Sequence, residues 1–148
     1  MSALKLHTSS ALDIYSSLTE TQLELPLIPG INAGFPSPAM DFIDLKIDLN
    51  KHLIDHPSAT FFGRVKGESM KDAGINDGDL LVIDKSIERK DGQIAVCCLD
   101  GEFTIKRIKF EKDCCWLIPA NEDYENIKVT EENDFIVWGI VKFVIKEI

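Results

Sequence analysis

From residue 60 to the C-terminus, apolar residues come in short runs rich in β-branched and aromatic side chains, over 60–65, 80–84, 93–99, 102–110, 115–119 and 135–145. Clusters of Asp, Gly, Asn or Lys bound each run, so the pattern predicts a compact antiparallel β domain. Ahead of it, Phe42, Leu45, Leu49, Leu53 and Ile54 recur at helical spacing until Pro57 ends the pattern. That predicts one helix within 41–55, most firmly over 48–55. Residues 1–33 mix Ser, Thr and scattered Leu without a sustained period, and a local helix near 11–18 is the one element predicted there. Pro26, Pro29 and Gly30 interrupt its end, and it holds too little apolar surface to fold alone. It reads as an arm that docks on another surface. Just beyond it, Pro36 and Pro38 hold Phe35 and Ser37 extended, and the small residues Ala33 and Gly34 leave the bond between them open to approach. By residue type alone, a plain interdomain linker accounts for this stretch.

Composition narrows the classes. A chain of 148 residues with 45% apolar content supports one domain with a core, plus the arm. The formal net charge of −9 argues against a phosphate backbone as direct partner, because nucleic-acid affinity comes largely from clustered Lys and Arg; partners should be proteins. No apolar run is long enough for a bilayer, and no basic region followed by an apolar stretch opens the chain, so the expected location is cytoplasmic, without membrane contact. Cys97-Cys98 and Cys114-Cys115 lack the two-residue spacing of zinc ligands and are expected to be reduced and half-buried. Glu122-Asp123-Tyr124-Glu125 lacks the alternation and the glycine of a calcium loop and reads as a solvated turn. No cofactor is expected.

One constellation carries chemistry. Ser69 sits in Gly67-Glu68-Ser69-Met70, on a connection between two expected strands, ahead of the turn signal Asn76-Asp77-Gly78-Asp79. Lys106 lies in an expected strand, where it shares a face with Thr104, Ile108 and Phe110. Only about one free lysine in a thousand is unprotonated near neutral pH. Removal from water disfavours the ammonium, and a neutral amine can then take a proton from a serine hydroxyl. A second arrangement fits the spacing equally, in which the Lys106 stem packs and its head reaches water. His7, His52 and His56 have no serine-plus-carboxylate setting.

Taken together and in order, Gly34-Phe35-Pro36-Ser37-Pro38-Ala39, Pro57-Ser58-Ala59-Thr60, Gly67-Glu68-Ser69-Met70, Asp77-Gly78-Asp79-Leu80 and Asp100-Gly101-Glu102-Phe103-Thr104 with Lys106 resemble the UmuD branch of the LexA-like self-cleaving serine peptidases. The resemblance runs from about residue 32 to the C-terminus. It implies a mainly β peptidase fold with one short helix and an extended N-terminal arm. It also implies Ser69 as nucleophile, Lys106 as general base, backbone N–H groups near Glu68 and Ser69 as oxyanion donors, and a cut between Ala33 and Gly34. The expected division is then an arm, 1–33, removed by self-cleavage, and a peptidase and interaction domain, 34–148.

Further implied are a homodimer, gating by a RecA-type filament on single-stranded DNA, and a cut form that serves the catalytic subunit of an error-prone translesion polymerase in the SOS response. Two other readings compete. One is a non-catalytic β-rich interaction module. The other is a LexA-like transcriptional repressor lacking its DNA-binding domain, since about 33 non-basic residues are too few to supply one.

Overall fold

The expected runs form strands at or within one residue of their predicted bounds. A computed structural model describes residues 4–17, 24–26 and 46–148. In chain order the strands are β1 (Lys5–Thr8), β2 (Leu12–Ser16), β3 (Glu24–Pro26), β4 (Lys46–Asp48), β5 (Thr60–Val65), β6 (Leu80–Asp84), β7 (Ile94–Leu99), β8 (Glu102–Phe110), β9 (Cys115–Ile118), β10 (Ile127–Val129) and β11 (Phe135–Ile145). One helical turn, α1 (Leu49–Leu53), and two 3₁₀ turns, Pro57–Ala59 and Lys71–Ala73, complete the described elements. The expected mainly β, antiparallel class with one short helix is what the chain adopts.

Nine strands make one sheet in the order β1-β2-β5-β6-β11-β7-β8-β9-β10, every pair antiparallel. The last strand in sequence is central in space. β11 pairs with β6 over Ile140–Ile145 and with β7 over Phe135–Ile140, and a register shift interrupts each ladder. Such irregularities increase local twist, which lets one long strand join the two halves of the sheet. Gly139 lies at the second shift, where a Cβ would stand 2.6 Å from Ile83 Cγ2, so only glycine fits.

The core divides accordingly. One cluster holds Leu12, Ile14, Val65, Met70, Ile75, Leu81, Ile83, Val96 and Ile105; the other holds Ala95, Cys97, Ile108, Cys115, Leu117, Val129 and Ile140. β7 and β8 contribute to both, because alternate residues of a strand face opposite sides of the sheet.

Two sequence expectations fail. Around 11–18 there is no helix: Leu12–Ser16 is a strand, paired with β5, with Leu12 and Ile14 wholly buried. Leu-Asp-Ile alternation suits a strand as well as a helical turn, and the free edge of β5 decides between them. Within 41–55, residues 41–45 lie outside the described residues, Lys46–Asp48 is a strand against β3, and the helix is one turn long. Asp48 sets that start by accepting a hydrogen bond from the Asn50 N–H at 3.0 Å, as a helix-capping aspartate does. The all-free thiols of Cys97, Cys98, Cys114 and Cys115 form no disulfide, and in each vicinal pair one member is buried and the other half-buried. No described helix is long and apolar enough to cross a membrane.

Candidate active site

The connection from β5 to β6 is shaped by its own polar residues. Gly67 has φ +85°, in the left-handed region, and its N–H donates to Asp77 Oδ1 at 2.7 Å. Across the base of the loop, the Val65 N–H donates to the Asp79 carbonyl and the Gly78 N–H to the Val65 carbonyl, both at 2.9 Å. Met70 is buried in the first core cluster and anchors the far side of the turn. Between Gly67 and Met70 the chain presents Ser69, half-buried.

A second segment grips this loop from outside, and nothing in the sequence reading anticipated it. The Ala120 N–H donates to the Ser69 carbonyl at 2.9 Å, and the Asp72 N–H donates to the Ala120 carbonyl at 2.8 Å. Asn121, buried, donates from Nδ2 to the Glu68 carbonyl at 2.9 Å while its Oδ1 accepts from the Asp123 N–H at 3.0 Å. The only available signal was a polar residue two positions past the apolar run 115–119, and a solvated turn explains such a residue equally well.

Lys106 reaches the loop from β8. It stands opposite Ala95 on β7, on the face that carries Ile108 and Cys97, and is only 6% exposed. Its Nζ lies 3.1 Å from Ser69 Oγ, 2.7 Å from Thr104 Oγ1 and 3.0 Å from the Ile105 carbonyl oxygen. The sequence-predicted serine and lysine, 37 positions apart, thus meet within hydrogen-bond reach. The head does not extend to water, so the second arrangement left open by the spacing is not the one adopted.

Electrostatics favour a neutral amine. Burial pushes the Lys106 pKa below its ordinary 10.5, and no carboxylate is among its described partners to oppose that. The neighbouring Cys97 thiol is driven by burial up to about 12, so it stays uncharged at neutral pH and supplies no counter-anion. A neutral amine has two N–H donors and one lone pair. The Ile105 carbonyl can only accept, and the Thr104 hydroxyl is the nearer of the two hydroxyls, so these two take the donors and the lone pair is left for the Ser69 proton. Chemically, such a pair can abstract a proton and make an alkoxide without histidine.

The histidines lie elsewhere. His7 packs against Phe103 with ring centroids 4.9 Å apart, His52 packs near Phe143, and His56 Nδ1 is 2.6 Å from Asp84 Oδ2. Burial alone would raise the Asp84 carboxyl, but hydrogen bonds from Ser86 and His56 outweigh it and hold it below its ordinary value. Ala33 and Gly34 lie outside the described residues; the segment that contains them connects β3 to β4, which pair with each other. Among the described residues, no cluster of three or more His, Cys, Asp or Glu is placed to hold a metal ion.

Comparison with known proteins bears on the family. The Peptidase S24-like family model matches residues 26–142. Protein MucA of Salmonella typhimurium is 42% identical over 112 residues, covering 75% of this chain and 76% of its own. Protein SamA of Salmonella typhimurium (strain LT2) is 44% identical over 109 residues, 74% of this chain and 75% of its own. The LexA repressor of Ectopseudomonas mendocina is 40% identical over 123 residues, 82% of this chain but 60% of the repressor. With a β fold of the expected class and a family match across most of its length, the chain belongs to the Peptidase S24-like family, in the UmuD-like branch of the LexA-like self-cleaving peptidases.

Proposed function

We propose that this chain cuts its own Ala33–Gly34 bond with Ser69 and Lys106, and that the product, 34–148, serves error-prone synthesis past DNA damage in the SOS response. The observation that carries the reading is the 3.1 Å approach of a buried amine to a loop hydroxyl.

The chemistry follows from that pair. Neutral Lys106 accepts the Ser69 proton as Oγ adds to the Ala33 carbonyl carbon. Collapse of the tetrahedral intermediate breaks the C–N bond, and the Lys106 ammonium returns its proton to the departing Gly34 amine. Water, deprotonated by the same lysine, then hydrolyses the Ser69 ester and frees the Ala33 carboxylate. Among the described residues, the backbone N–H groups of Glu68, Ser69 and Met70 donate to no acceptor, which suits them to the oxyanion. Because the scissile bond is tethered to the site, effective concentration is high and gating is required. The gate is the arm's position, and the resemblance assigns its control to a RecA-type filament.

The remaining roles follow the family resemblance. The acidic chain touches DNA only through partners, among them the catalytic subunit of a translesion polymerase. A homodimer is the assembly that the resemblance implies.

Incubating the purified chain at alkaline pH, and at neutral pH with a RecA filament on single-stranded DNA and ATP, tests the reading. A fragment beginning at Gly34 is expected under both conditions, faster with the filament at neutral pH. An intact chain in both marks a non-catalytic interaction module instead.

Asn121 is a positioning residue in this scheme. Asn121→Ala removes the bond to the Glu68 carbonyl and lets the Ser69 loop drift, which lowers the cleavage rate about tenfold to a hundredfold. The pH midpoint of the rate should not move, because Lys106 keeps its surroundings; a shifted midpoint would mean that Asn121 acts through the lysine.

A further inference from the structure

The first 33 residues carry β1, β2 and β3, and two of these pair with strands on the far side of the Ala33–Gly34 bond. β2 lies along β5 from Leu12 opposite Val65 to Ser16 opposite Phe61, and β3 lies along β4. Leu12 and Ile14 are wholly buried in the same cluster as Met70, Leu81 and Ile83.

Polar fastenings run in parallel. Asp13 pairs with Lys66 at 2.8 Å, Lys66 Nζ also donates to the Ser9 carbonyl at 3.1 Å, and the Lys66 N–H donates to the Ala11 carbonyl at 2.7 Å. Ser9 Oγ donates to the Phe103 carbonyl at 3.2 Å, and Ser17 Oγ to the Pro57 carbonyl at 3.3 Å. None of these contacts passes through the 33–34 peptide bond.

We infer that cutting this bond does not free the arm: the severed arm stays seated on β5 as a noncovalent strand, and its displacement is a separate step. The inference rests on the proposed cleavage position. Hydrolysis removes one covalent link and leaves two strand pairings and two core side chains in place. Until the arm leaves, the N–H and C=O groups of β5 are engaged by β2 and the apolar face behind them is covered. The arm's grip ends at Lys66, the residue before Gly67, so departure also removes the support next to the turn that carries Ser69.

The test separates cutting from holding. The full chain is incubated until a denaturing gel shows it cut, and the mixture is then passed over a sizing column under native conditions. Co-elution of 1–33 with 34–148 in equal amounts is the expected result, with slow exchange against an excess of labelled synthetic peptide of residues 4–17. Ile14→Ala should speed release about a hundredfold through loss of core packing, and Gly63→Val should do the same from the other side. There, even a Cβ would already stand 3.0 Å from Ile83 Cδ1 and 3.1 Å from Leu12 Cδ1. Separate elution of the wild-type pieces would overturn the inference. A chain that fails to cut itself speaks against the cleavage reading alone; a site for an added sequence-specific protease at 33–34 then opens the same bond, and co-elution is scored identically.

Discussion

Lys106→Ala is expected to stop self-cleavage and to leave the sheet standing. A positioned general base contributes about 10²- to 10⁴-fold to rate, so the residual cut should fall to the limit of detection over hours. Stability should change little, because the amine is buried at a cost to its charged form and its removal lifts that cost while opening a small cavity beside Ala95 and Ile108. Lys106→Met separates the two effects. It keeps the stem volume and should unfold within about 1.5 kcal/mol of wild type while remaining uncut. Thermal unfolding beside a cleavage time course measures both; an active methionine variant would remove the lysine from the mechanism.

The rate of cleavage should rise with pH and level off below pH 10.5. Only the neutral amine can accept the Ser69 proton, and burial moves the pKa of Lys106 down from 10.5. The sign of the stability effect follows from the same shift. In the window between the lowered folded value and 10.5 the unfolded chain binds more protons, so this group makes stability rise with pH there. Its cost is fully present below the folded value and is lifted as pH approaches 10.5. Lys106→Met should abolish that slope along with the cleavage. A rate that keeps climbing past pH 10.5, or a flat one, would place the titrating group elsewhere.

How much of this was legible beforehand depends on what decides each element. β5, β6, β8 and β11 match their predicted bounds, because β-branched runs between turn residues carry their own local signal. The β1-β2 hairpin was not legible. Its residues are too polar to fold alone and become strands by borrowing the edge of β5, a neighbour some 50 positions away. The helix over 41–55 was overextended because its periodicity is real, but pairing with Glu24–Pro26 and the Asp48 cap confine it to one turn.

The site shows the same division. Lys106 on an apolar face of its strand was readable from alternation, but its meeting with Ser69 was not. β11 stands between β6 and β7, so the sheet order that brings β8 toward the β5–β6 loop cannot be derived from neighbouring runs. Resemblance supplied that pairing, and the 3.1 Å distance agrees with it. Ala120 and Asn121 went unseen because their role lies in backbone and amide contacts to the serine loop, which leave no periodic trace in sequence.

The most direct test of the central claim is the intact mass and N-terminal sequence of the product formed at alkaline pH by wild type and by Ser69→Ala, each prepared free of other proteases. Wild type should yield a chain starting at Gly34 and Ser69→Ala should yield none. A Gly34 product from the alanine variant would contradict the account.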